Sequence, residues 1–249
     1  MKSPLLLIFS LFSVIAFSQS GDLILFIGQS NMAGRADIGS DTLVMERVML
    51  LNSEGAFASA TNPMNRYSTI RKENRSILRL SPAFSFCQEV VSATDDSVFA
   101  IVQARGGTAI EKFQKGSDWG YYEAIVNRTR NTLAKYPGLR LRAVIMHQGE
   151  SNQRSPGTYL GFLHQMVADL RADLDDPDLP FIFGEVGPWN PSFDAIRAEM
   201  KKIPEIIPFS QLVSSDNLTN RDASHFDRES VLLFGRRYAE VYLKLSKRY

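Results

Sequence analysis

Cysteine is almost missing from this sequence. Of 249 residues only Cys87 is a cysteine, so no intramolecular disulfide can form and the fold must rest on its apolar core. Histidine is scarce as well: His147, His164 and His225 lie in three separate segments, with no His-x-x-x-His pair and no cysteine cluster. A zinc or di-iron centre is therefore not expected, nor any other metal or cofactor. An excess of one charge is also lacking. Lys and Arg number 28 against 27 Asp and Glu, and no basic run exceeds a pair, which argues against a nucleic-acid surface. The Gly-x-Gly-x-x-Gly and Gly-Lys-Ser phosphate loops are absent. Beyond residue 17 no apolar run approaches the roughly 20 residues that a membrane span needs.

What is present starts with a leader. A basic Met1-Lys2, an apolar stretch from Leu5 to Phe17 and small residues at Ala16 and Ser18 make a secretory signal, with cleavage expected between Ser18 and Gln19. The chain is thus expected to be secreted or periplasmic, with residues 1–18 as signal peptide and 19–249 as one domain. At 44% hydrophobic residues, that length suits a single α/β core.

Five consecutive apolar residues, Leu23 to Ile27, read as a strand buried on both faces. Polarity returns abruptly at Gly28-Gln29-Ser30-Asn31-Met32. Carboxyl ends of parallel strands are where ligands and reactive groups gather, so Ser30 is a candidate nucleophile, with a helix N-cap as its simpler role. Further strands are expected at 97–102, 141–146, 181–186 and 209–214. Helices fall at 82–91, with Ser81 capping ahead of Pro82, at 121–135 and at about 158–174. In the last of these Phe162, Leu163, Met166, Val167 and Leu170 form the expected inner face. A closing helix carries Val231, Phe234, Tyr238, Val241, Tyr242 and Leu245 at helical spacing. Strand and helix in alternation mean an α/β fold with a parallel sheet of about five strands covered on both faces. The polar stretch from Arg35 to Leu80 reads as a long functional loop that helps recognise a substrate.

Three further strand ends break into polar clusters. Arg105-Gly106-Gly107-Thr108 can turn backbone N–H groups toward an anion. His147-Gln148-Gly149-Glu150-Ser151-Asn152 ends the third strand, and Asp222-Ala223-Ser224-His225 follows the fifth. A serine nucleophile needs a base that accepts its proton and a carboxylate that orients the base. His164 sits off the apolar stripe of its helix, and His147 suits a buried scaffold. His225, three residues after Asp222, has the spacing a base requires. Glu150, on the same rim, is the alternative acid, and it disfavours the neighbouring Ser151 as nucleophile. Asp227 reads as the N-cap of the last helix.

In their order, these four blocks resemble the SGNH-type hydrolases, in the branch of the sialate O-acetylesterases and acetyl xylan esterases. The resemblance covers nearly the whole mature chain. It implies a three-layer flavodoxin-like fold and a serine esterase that deacetylates carbohydrate, with Ser30 as nucleophile, His225 as base and Asp222 as its acid. Gly107 and Gln148 would join the Ser30 N–H as oxyanion donors. The third block has Gln148 where Asn is common, so Asn31 and Asn152 are alternative donors. Sialate and xylan esters are the two substrate types implied, with Trp189 a candidate for stacking on a sugar face. A carbohydrate-binding protein without turnover and a short-chain lipase-like esterase are the competing functions.

Overall fold

The computed structural model describes residues 20–71 and 77–246; the expected leader lies outside them. Leu23 to Ile27 do form the central strand, each completely buried. β1 (Gly21–Gly28) is flanked by β4 (Val98–Ala104) and β5 (Leu139–His147). Outside these lie β2 (Val48–Leu51) with β3 (Phe57–Ser59) on one side, and β6 (Phe181–Gly184) with β7 (Ser210–Val213) on the other. The sheet order is β3-β2-β4-β1-β5-β6-β7, and every pairing is parallel except β2 with β3.

Alternate side chains of a strand face opposite ways, so β1 feeds two cores. Ile24 and Phe26 point to one with α1 (Ser30–Ala33), α2 (Pro82–Ala93) and α7 (Arg228–Ser246). Leu23, Leu25 and Ile27 point to the other with α3 (Tyr121–Lys135), α4 (Pro156–Asp173), α5 (Asp194–Met200) and α6 (Ile203–Ile206). Sheet and two helical layers make the expected three-layer α/β arrangement. Helices α2 and α7 approach so closely that a β-carbon on Gly235 would stand 2.0 Å from Ser85 Oγ.

Several expectations need correction. Among the described residues the strands number seven, because the stretch from Arg35 to Leu80 contains β2 and β3. Val48, Met49 and Leu50 pair with the first half of β4, and the three-residue β3 closes the outer edge of β2. Phe162 is 36% exposed, and Tyr159 takes its place on the inner face of α4. Ser81 is the N-cap of α2 as expected, but its side chain makes no capping hydrogen bond.

The part of the presumed loop that follows β3 is fastened down at Asn65 and Thr69. The buried Asn65 side chain donates to the Ala104 carbonyl at 2.9 Å and accepts the Ala104 N–H at 3.1 Å, pairing as a strand would. Gln103 Oε1 accepts the Thr69 N–H at 2.8 Å. These bonds hold the 57–71 segment against the carboxyl end of β4. In register, Gly28 lies opposite both Ala104 and His147, and His147 opposite Gly184. The strand ends singled out in the sequence therefore share one rim. Among the described residues no helix is long and apolar enough to cross a membrane.

Candidate active site

The site begins with a glycine. Gly28 has φ +148°, and a β-carbon there would stand 2.1 Å from the His147 carbonyl oxygen, so only glycine lets the chain leave β1 this close to β5. The Gln29 N–H then donates to that His147 carbonyl at 3.0 Å, while the Gly28 carbonyl accepts the Arg105 N–H at 3.0 Å. Stitched from both sides, the chain enters α1 with Gln29 as N-cap and Ser30 as first helical residue. Ser30 is thus not the cap, the simpler role its sequence allowed.

Ser30 Oγ lies 3.0 Å from His225 Nε2. The other ring nitrogen of His225, Nδ1, lies 2.9 Å from each carboxylate oxygen of Asp222. Asp222 Oδ1 also accepts the N–H groups of Ser224 and His225, both at 2.9 Å, so the three-residue spacing closes a tight turn on one carboxylate. Burial pushes the Asp222 carboxyl up, but the Ser224 N–H and the His225 imidazole outweigh it and hold the group below its ordinary value.

This loop is braced from outside. Trp189 Nε1 and Asn190 Nδ2 both donate to the Ala223 carbonyl, at 3.2 and 3.0 Å. Asn31 Nδ2 donates to the Ser224 carbonyl at 3.1 Å, and Asn31 Oδ1 accepts the Phe226 N–H at 3.3 Å. The Phe226 ring packs edge-on against Trp189 at 4.8 Å and against Phe234 at 5.1 Å. Trp189, considered for sugar stacking, is committed here as a brace. Its part, like that of Asn190, is not visible in the sequence, where neither stands in a recognisable pattern with Ala223.

The remaining candidates separate. Glu150 does not reach His225; its Oε1 lies 3.1 Å from His147 Nε2 and accepts a hydrogen bond from Asn31 Nδ2. Burial raises the Glu150 carboxyl, and the His147 charge and hydrogen bond bring it to a net position below the ordinary value. His147 Nδ1 meets the Tyr238 hydroxyl at 2.9 Å, and only a glycine at 184 leaves room, since a β-carbon there would lie 1.6 Å from that oxygen. Gln148 Nε2 donates to the Thr108 carbonyl at 3.2 Å and to Asn152 Oδ1 at 2.7 Å, and Asn152 Nδ2 donates to the Glu111 carboxylate. All three side-chain amides considered as oxyanion donors, Gln148, Asn31 and Asn152, already spend their N–H groups on other acceptors. Gly107 differs: it is exposed, with φ +65° and open space around its α-carbon. Ser151 donates its N–H to Gln29 Oε1 at 3.3 Å, and His164 is exposed on α4.

A cavity of about 400 Å³ lined by Ala36, Asp37, Arg79, Arg221, Asp227 and Arg228 adjoins the site through Arg221, whose Nε lies 3.7 Å from Asp222 Oδ2. A larger one of about 730 Å³ opens at the opposite end of the sheet, between Gly21, Val98 and Arg140, away from these side chains. Among the described residues no three His, Cys, Asp or Glu side chains gather as a metal site.

The profile of the family described as "Carbohydrate esterase, sialic acid-specific acetylesterase" matches residues 20–244 of this chain. No curated protein matches it. Among solved structures, a protein from Arabidopsis thaliana is similar with a TM-score of 0.79 at 22% identity, over 91% of this chain and 99% of that one. NanS is similar with a TM-score of 0.70 at 16% identity, over 93% of this chain and 100% of that one. A carbohydrate acetylesterase from Xanthomonas citri has a TM-score of 0.66 at 16% identity, over 92% of this chain and 57% of that one. At these identities the likenesses speak for the shared fold.

Proposed function

Since this chain belongs to the carbohydrate esterase family of sialic acid-specific acetylesterases, we propose that it removes O-acetyl groups from an acetylated sugar through an acetyl-Ser30 intermediate. The observation that carries this reading is the line Ser30 Oγ, His225, Asp222, with contacts of 3.0 and 2.9 Å. In this mechanism His225 Nε2 takes the Ser30 hydroxyl proton as Oγ attacks the acetyl carbonyl carbon. Asp222 holds the ring through Nδ1 and stabilises the imidazolium that forms. The N–H groups of Ser30 and Gly107 receive the developing oxyanion, while Gln148 supports the Gly107 turn through Thr108. Collapse expels the sugar oxygen, which takes the proton from His225. Water then attacks the acetyl-enzyme, His225 accepts its proton, and acetate leaves as that proton returns to Ser30.

Of the sialate and xylan alternatives, the anionic sugar is favoured. Exposed Arg79 sits one hydrogen bond from the helix carrying Ser30, its N–H donating to the Gly34 carbonyl at 3.3 Å while the Gly34 N–H donates to that of Ser30 at 3.0 Å. Arg221 and Arg228 line the same adjoining cavity but are paired, the first with Asp222 and the second with Asp41 and Glu229, so Arg79 is the guanidinium offered to an anionic sugar. A secreted or periplasmic location, resting on the leader, suits an enzyme that meets such sugars outside the cytoplasm. The test is release of p-nitrophenol from its acetate ester by the wild type and by Ser30→Ala, followed by acetate release from a panel of acetylated sialic acids and acetylated xylan. Loss of turnover in a folded Ser30→Ala variant supports the reading. Binding of sugar without turnover by the wild type, or preference for longer acyl chains, overturns it.

A further inference from the structure

Behind the Ser30 and His225 pair runs a buried polar chain that the proposed chemistry does not use. Tyr238, His147, Glu150 and Asn31 follow one another through hydrogen bonds, each no more than 5% exposed. The chain ends on an amide with an unusual position. Asn31 is the neighbour of Ser30, and it holds the residues on both sides of His225, taking Ser224 by its carbonyl and Phe226 by its N–H. One side chain therefore couples the helix of the nucleophile to the loop of the base.

A primary amide can present its two ends either way round, and here only one way works. Its nitrogen must face the Ser224 carbonyl and its oxygen the Phe226 N–H. An ionised carboxylate only accepts hydrogen bonds, so Glu150 Oε1 selects the nitrogen end; the reversed amide would set oxygen against carboxylate. Glu150 is in turn fixed by His147, whose other ring nitrogen meets the Tyr238 hydroxyl. From this geometry we infer that Glu150 is a positioning residue for ester hydrolysis, acting through Asn31 to set the approach of His225 to Ser30. The inference rests on the esterase reading above and adds two residues to it.

A merely stabilising buried network would lower the melting temperature when cut and leave turnover per folded molecule intact. Positioning has another signature. Glu150→Gln replaces an acceptor-only carboxylate with an amide that can turn its NH2 toward Asn31 and is expected to lower kcat about tenfold, and Asn31→Ala about 100-fold, the scale of a small misplacement of reacting groups, with KM for p-nitrophenyl acetate little changed. If Glu150 works through Asn31, the double variant Glu150→Gln/Asn31→Ala has the kcat of Asn31→Ala alone, because the second change finds nothing left to orient. Independent roles would multiply to about 1,000-fold by the same additivity rule, and that result overturns the inference. Should either variant fail to fold, Glu150→Asp and Asn31→Ser keep the cycle intact. The His225 ring-proton resonances, readily assigned among three histidines, give a second measure that needs no turnover. They are expected to shift in Asn31→Ala and in Glu150→Gln. Unshifted resonances overturn the positioning role, whereas a wild type that hydrolyses no ester overturns only the esterase reading.

Discussion

The α-carbon of Gly28 faces the carbonyl oxygen of His147 so closely that a β-carbon on it would stand 2.1 Å from that oxygen. Ser30, two residues on, inherits its place from this contact. Gly28→Ala is expected to destabilise the fold by about 1–3 kcal/mol, the usual range for an overpacked interior site, and to remove turnover from the molecules that remain folded. Denaturant midpoints and kcat measured on the same preparation check both parts, and an active, equally stable Gly28→Ala chain would refute them.

Gln148 distinguishes support from direct stabilisation of the oxyanion. With both N–H groups given to Thr108 and Asn152, its removal is expected to lower the melting temperature and to reduce kcat by less than tenfold. Loss of an oxyanion donor would instead cost about 100-fold to 1,000-fold in kcat at unchanged melting temperature. The same paired measurement on Asn152→Ala is expected to follow Gln148→Ala, since the two amides hold one another.

Acid should weaken the start of α7. Asp227 Oδ1 accepts the Ser230 N–H at 2.9 Å as an N-cap. Burial raises its carboxyl, but bonds from the Thr219 hydroxyl and from Ser230 hold it below the ordinary value. A depressed carboxyl contributes stability that is full above its unfolded pKa, about 4, and is lost as pH falls through the folded value. Asp227→Asn keeps a capping oxygen that does not titrate, so its melting temperature should fall less steeply below about pH 4 than that of the wild type. Asp227→Ala should lose about 1 kcal/mol at neutral pH. Thermal melts across pH test both, and parallel acid limbs for wild type and Asp227→Asn would contradict the assignment.

Arg79 separates sugar recognition from chemistry. Arg79→Ala is expected to raise KM for an acetylated sialic acid several-fold while leaving kcat/KM for p-nitrophenyl acetate unchanged, as the removal of a binding contact remote from the reacting atoms does. Equal effects on the charged and the uncharged ester would count against an anionic substrate.

The central strands were readable because burial on both faces leaves no alternative to unbroken apolar runs such as Leu23 to Ile27, and Ser30 was readable because such a run stops at it. The edge was not. Val48 to Leu51 is short and embedded in polar sequence, so its pairing with β4 comes from tertiary context rather than from periodicity. The Asp222 and His225 pairing was legible from a local spacing that one turn can close. By contrast, Asn31 meeting Glu150 across 119 residues, or Trp189 meeting Ala223 across 34, leaves no local pattern. Phe162 shows the opposite failure, an apolar residue at helical spacing that faces solvent on α4.

The pairing of Asn65 with Ala104 lends the segment beyond β3 the backbone hydrogen bonds of a strand without making it one. Together with Gln103 to Thr69 it pins the segment to the end of β4, while an isolated bridge between Ala36 and Leu80 ties the two ends of the Arg35 to Leu80 stretch to each other. Within that stretch β2 and β3 are fixed by their own pairing and by buried Val48, Leu50 and Leu51. Latitude is thus confined to the short exposed turn ahead of β2: new side chains at Thr42, Leu43 and Val44 should leave both edge strands and the reactive centre where they are.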